Sequence, residues 1–296
     1  MLRFVLNEAG RLLLSLFGAA LMSSAIATLS VPHAGDGVLQ FFLAWGLRLN
    51  RSAHLQFGLS SITGLPIASE LAARLPLTLG LVLEGMAAAA LIGIPIGFLF
   101  GAGPVRRAAA PLIQIVAAAP VFCAGLALAY LSANPPYWPA QIGDGVRFGL
   151  KILPQTAAHA PATLLPALTV GLAGAAAVQL ALRRAAAETA RESWRIYLQR
   201  MGLLRWEIEG LYVVPQIFAG LLAHLGEVML ALLSASAVAE WVFSCPGAAD
   251  LFVKSVALHD WSVAGAILFV FATLTLTAEF LGRCAARPMI DRGTST

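Results

Sequence analysis

Residues 182–203 read LRRAAAETARESWRIYLQRMGL, and they separate two apolar runs, Ala162–Leu182 and Tyr212–Phe243. Within this island Glu188, Arg191, Glu192 and Arg195 fall at i, i+3, i+4 and i+7, which puts them on one face of a helix. Trp194, Tyr197, Leu198 and Met201 supply an apolar side, and Gly202 stands where a helix would end in a left-handed residue. The spacing therefore predicts a short amphipathic helix suspended between two membrane spans. Two readings of such a helix stay open: it rests on lipid headgroups, or it docks into a groove on a partner.

The rest of the chain explains why lipid is the reference solvent. Of 296 residues, 59% are hydrophobic and 11% charged, whereas soluble domains carry roughly 25% charged residues. A spanning helix needs about 20 mostly apolar residues. Six segments qualify: Leu12–Val31, Leu77–Gly101, Pro111–Leu131, Ala162–Leu182, Tyr212–Phe243 and Val263–Leu281. The fold class expected is all-α integral membrane, with an N-terminal cytoplasmic segment and first span (1–31) and an extracytoplasmic region (32–75). A core (76–285) and a cytoplasmic tail (286–296) follow. The first run resembles a signal peptide, with Ala25-Ile26-Ala27 as a cleavage site, but it is long for one and reads as a retained anchor.

With six spans both termini share a side. That side collects thirteen of the nineteen Lys and Arg residues, including Arg106, Arg107, Arg183, Arg184, Arg200 and Arg205. By the positive-inside rule it is the cytoplasm, which places the 183–209 loop there too. The net charge of +4 sits in short clusters between apolar runs, so it points to an anionic membrane face and away from nucleic acid. Cys123, Cys245 and Cys284 have no metal or disulfide spacing and read as small hydrophobes.

Against this frame the 182–203 segment resembles the EAA loop of binding-protein-dependent ABC permeases, in the dipeptide/oligopeptide/nickel branch. Glu188, Arg191, Glu192, Trp194, Gly202 and Leu203 match that motif without a gap. Arg74-Leu75-Pro76-Leu77-Thr78 and Gly93-Ile94-Pro95-Ile96-Gly97 resemble the family's second span, and Leu165-Pro166-Ala167-Leu168-Thr169 the start of its fourth. Glu240-Trp241-Val242-Phe243-Ser244-Cys245-Pro246-Gly247 is similar to its signature after the fifth span, with His259-Asp260-Trp261 beyond. Departures occur at Ile196–Met201, at Glu207 and Glu209, and at Gly220, where the family has a proline.

The resemblance implies the type I importer permease fold. It also implies a second homologous permease subunit, ATP-binding cassette ATPase subunits on the cytoplasmic side and an extracytoplasmic solute-binding protein. Glu188, Arg191, Glu192, Trp194, Arg195, Gly202 and Leu203 would couple to the ATPase. Solutes served by such permeases include peptides and nickel chelates. No cofactor and no metal site is implied, and the chain itself carries no phosphate-cradling loop.

Three carboxylates fall inside predicted spans. Burying a charge at mid-membrane costs roughly 2.5–3.5 kcal/mol on insertion scales, so Glu84 and Glu227 must face protein or water. Each is a candidate for the solute path, or, for Glu227 with His224 one turn before it, for an interhelical bond. Glu240, near the extracytoplasmic end of span five, is either a contact for the docked binding protein or a carboxylate bonded to loop amides. The competing classes are a secondary transporter or channel, which would show paired broken helices in internal repeats, and a membrane-embedded enzyme. Neither an internal repeat nor a convergent His/Asp/Glu set is evident, so an enzyme is not expected.

Overall fold

The computed structural model describes residues 2–28, 57–99, 121–133, 164–190 and 194–294. They form α1 (Leu2–Thr28), α2 (Ile67–Leu99), α3 (Val121–Ala133), α4 (Leu164–Ala190), α5 (Trp194–Arg200), α6 (Val214–Ala223), α7 (Leu225–Val242), α8 (Ala248–Ala257) and α9 (Trp261–Thr294). No strand occurs among the described residues; one isolated bridge pairs Leu59 with Pro66. Five helices are long and apolar enough to cross a bilayer: α1, α2, α4, α7 and α9. The third expected span, Pro111–Leu131, is described only from Val121, as the shorter apolar helix α3. The loop 134–161 lies outside the described residues.

Helix boundaries move outward from the expected spans because hydrogen bonding continues past the apolar stretch. α1 begins at Leu2 and not at Leu12. α4 runs on through Arg183 and Arg184 to Ala190, so the charged island starts as helix and not as loop. The largest difference is span five. Tyr212–Phe243 is not one helix: a π-helical turn (Ile208–Val213) leads into α6, and the chain breaks at His224 (φ −99°, ψ 16°) before α7. α7 alone has 18 residues, about 27 Å of rise, which nearly fills the hydrocarbon core. The break coincides with a tight crossing, since a Cβ on Gly282 of α9 would overlap the carbonyl oxygen of Leu222. Side-chain pattern alone does not register such a backbone contact.

α2 and α4 pack most intimately, and small residues make this possible. Gly171 of α4 lies against Ala88 and the carbonyl of Gly85, while Gly93 of α2 lies against the Ala175 carbonyl and Val178. Without a hydrophobic drive between helices in lipid, such close approach supplies the dispersion contact that holds spans together. The core so built contains Val82, Ala89, Val170, Val178, Leu182, Val228, Leu232 and Ala239, drawn from α2, α4 and α7. A second cluster, Ile67, Leu71, Ala248, Leu251, Val263 and Ile267, closes the opposite end from the chain termini, where α2, α8 and α9 meet. α1 stands outside this core on α9, tied by the Ser23 hydroxyl, which donates to the Gly265 carbonyl at 2.7 Å.

Candidate functional site

The elbow between α4 and α7 is built in three pieces. Glu188 lies exposed on the last turn of α4 and does not belong to the short helix, which starts at Trp194. Arg191 and Glu192 fall outside the described residues; Arg195 is on α5, and its side chain is likewise outside them. The expected apolar side divides in two: Trp194 and Leu198, one turn apart, are half-buried, whereas Tyr197 and Met201 are exposed. Trp194 packs on Tyr212 of the π-helical turn, ring centroids 6.2 Å apart. That contact ties the short helix to the start of the broken fifth span.

Gly202 ends the helix with φ +87°. Its N–H donates to the Gln199 carbonyl (3.2 Å), and the Leu203 N–H to the Leu198 carbonyl (3.4 Å), the closing pattern of a left-handed cap. A Cβ at Gly202 would meet nothing within 4 Å, so within this chain glycine is required by backbone conformation and not by a crowding neighbour. Leu203 is half-buried, while Leu204 and Trp206 are exposed next to it; the Glu207 carboxylate accepts from the Leu204 N–H at 2.9 Å and fixes the following turn. Tyr197, Met201, Leu204 and Trp206 therefore present a contiguous apolar tip at the end of the bundle that carries the termini. Leu204 and Trp206 escape a reading based on helical periodicity, because they follow the glycine and do not share the helix's face.

Glu227 is not deep in a span. With the helix broken at His224, it sits in the first turn of α7, about half exposed, where it accepts from Arg184 Nη1 at 2.5 Å and meets His224 Nδ1 at 3.1 Å. Further ion pairs lie at the same end of the bundle: Arg11 and Arg283 both reach the buried Glu8, at 2.8 and 3.1 Å, and Arg283 also binds Glu279. Gly226 packs against Glu279, which sets the two groups at one level. Exposed pairs contribute at most about 1 kcal/mol. Glu227→Ala is therefore expected to lower the thermal midpoint of the purified protein by no more than a few degrees; a loss of folded protein would show the pair to be structurally essential.

Glu240 is enclosed at the other end. It has 0% exposure. Thr78 Oγ1 donates to Glu240 Oε1 at 2.6 Å, and the Asp250 N–H donates to Oε2 at 2.7 Å. The same threonine oxygen accepts from the Ala248 N–H at 2.8 Å. The carboxylate and the hydroxyl together cap the N-terminus of α8, whose first N–H groups have no helical partner. Gly247 leaves the room, since a Cβ there would overlap the carboxylate. Glu240 thus bonds loop and helix amides, and no part of it is available to a docked protein. Nearby, burial and then the Glu240 and Asp250 charges push the Cys245 thiol above its ordinary value. Asp260 is held in the same manner, accepting from Ser60 Oγ at 2.5 Å and from the Val263 N–H at 3.3 Å at the start of α9.

Comparison with known proteins decides the family. The binding-protein-dependent transport system inner membrane component profile matches residues 89–287, well over half of the chain. The chain belongs to this family. Along nearly its full length the permease is similar to the peptide transport system permease protein SapB of Salmonella typhimurium, 24% identical over 305 residues, covering 95% of this chain and 94% of the relative. A protein of Escherichia coli K12 named putrescine export system permease protein SapB is equally similar, 24% over 307 residues with the same coverage. The dipeptide transport system permease protein DppB of Lactococcus lactis is 25% identical over 229 residues, 74% of this chain and 70% of the relative.

The permease is accordingly a multi-pass inner-membrane protein of the type I importer fold. The matched region takes in α4, the elbow, the broken fifth span and the Glu240 cap. Glu84 lies just before it, exposed at the centre of α2. Among the described residues no group of three or more His, Cys, Asp or Glu side chains could hold a metal ion.

Proposed function

We propose that this permease is one of two membrane-spanning subunits of an ATP-driven importer of peptides, working with a second homologous permease, two ATPase subunits and an extracytoplasmic binding protein. The observation that carries this reading is the elbow. An exposed apolar tip of Tyr197, Met201, Leu204 and Trp206 surrounds the left-handed Gly202, next to Glu188, and is mechanically joined to the fifth span through Trp194 and Tyr212. Such a tip suits a protein groove, because aromatic and methionine side chains packed into a pocket dominate protein interfaces. Arg191, Glu192 and Arg195 add charge-assisted bonds to the groove's rim.

The surplus of Lys and Arg on the side of the termini sets the elbow and both chain ends in the cytoplasm, where the ATPases are. Closure of the ATPases then drives a rigid-body rearrangement of the two permeases, exposing the solute path to alternate sides. Peptide is the solute class favoured by the names of the relatives, two of which specify peptide or dipeptide and none nickel. The test is reconstitution of the permease with its partner subunits in proteoliposomes. Accumulation of a labelled dipeptide should require ATP, the ATPases and the binding protein together. Solute flux through the permease alone, without ATPases, would make it a secondary transporter and overturn the reading; ATP-driven movement in the opposite direction would make it an exporter.

A further inference from the structure

Glu84 is the carboxylate for which the fold supplies no use. It stands at the centre of α2, exposed, and makes no hydrogen bond or ion pair with any described residue. The opposite face of α2 is the packed one, carrying Val82, Gly85, Ala89 and Gly93 against α4. Around Glu84 the surface recedes: Gly80, one turn before it, has open space where a Cβ would be, and the exposed Ala87 follows one turn after. Leu83 and Leu91 stand up beside this recess. The recess is thus apolar, shallow and centred on a single acid at mid-span, where a carboxylate cannot face lipid.

The neighbouring spans cannot neutralise it. On the described helices the Lys and Arg side chains sit towards helix ends, at Arg11, Arg74, Arg183, Arg184, Arg283 and Arg287, and none is at the depth of Glu84. A second copy, or a companion with the same charge layout, would bring another acid to this level and no cation. The missing positive charge must therefore arrive with the solute. We infer that Glu84 is the ammonium-recognition group of the solute path, selecting solutes that carry a free protonated amine, such as the amino terminus of a peptide. The inference rests on the permease reading above.

The test uses the assembled transporter in proteoliposomes with cysteine placed at Ala87 or, as a second site, at Gly80. On a helix these positions lie about 5–6 Å from Glu84 between Cβ atoms. The probes are a cationic thiosulfonate, 2-(trimethylammonio)ethyl methanethiosulfonate, and its neutral 2-hydroxyethyl counterpart, with labelling of the parent chain's own cysteines subtracted. The cationic probe should label Ala87→Cys at least about threefold faster than the neutral one, the factor that a unit charge ~6 Å away gives even in bulk water. Adding Glu84→Gln should bring that ratio to about one. Two results would overturn the inference: both cysteines silent to both water-borne probes, or a ratio that Glu84→Gln leaves unchanged. A preserved ratio in vesicles that show no ATP-dependent uptake would instead count against the permease reading alone.

Discussion

Gly202→Val transporters should hydrolyse ATP yet accumulate almost no peptide. At φ +87° the residue occupies the left-handed region, which costs an L-residue roughly 1–2 kcal/mol and a β-branched one more. The open space around Gly202 means that valine meets no obstacle inside the chain, so membrane insertion and folding should survive. What changes is the direction of the chain as it leaves α5, and with it the relation of Tyr197 and Met201 to Leu204 and Trp206. Uptake should fall at least about tenfold, equivalent to ~1.4 kcal/mol of lost coupling, with the membrane level of the protein within twofold of wild type. Gly202→Asn should be milder, because asparagine tolerates the left-handed conformation. Wild-type uptake by the valine variant would remove the elbow from the coupling path. Equal loss in both variants would mean that the partner needs a bare backbone there, and not merely its conformation.

The second large effect is expected at the other end of the molecule. Gly247→Ala puts a methyl group where the Glu240 carboxylate lies, and the carboxylate must then release Thr78, Asp250 or both. Each buried donor or acceptor left without a partner costs about 1–3 kcal/mol. The damage propagates, since Thr78 also bonds the Ala248 N–H and α8 packs on α2 and α9 through Ala248 and Leu251. The midpoint of thermal denaturation in detergent, followed by size-exclusion chromatography, should drop by several degrees or more, and Thr78→Val should produce a smaller drop of the same kind. An exposed substitution on α8 such as Val253→Ala serves as the reference. An unchanged midpoint for Gly247→Ala would mean that the cap contributes little and that Glu240 is held for another purpose.

Much of this architecture was readable from the residues because lipid makes hydropathy a strong signal. A bilayer leaves helices as the available way to satisfy backbone groups, so the long apolar runs around residues 12–31, 77–101, 162–182 and 263–281 found their helices. The elbow was readable for a different reason: Gly202 after an amphipathic run has few other uses. Less legible was the break at His224. No proline or glycine stands there, and its neighbours are apolar; the crossing at Gly282 that accompanies it is a contact between segments far apart in sequence. The same holds for Glu227, whose depth was misjudged because the helix containing it was taken as continuous. Glu240 shows the limit of side-chain logic. An acid near a span's end points equally to a surface contact and to an internal cap, and only the folded turn at Gly247 separates them.

The division of the fifth span also sets how motion can travel through the bundle. Below His224, α6 lies along α9 and the end of α4 and takes up the elbow's movement through Tyr212; above it, α7 is locked among Val82, Val178 and Leu232. One residue outside helical geometry joins a segment that is free to swing to a segment that is clamped. The permease thus has a knuckle at the base of its core, and a push on the loop arrives at the core as a turn about that knuckle.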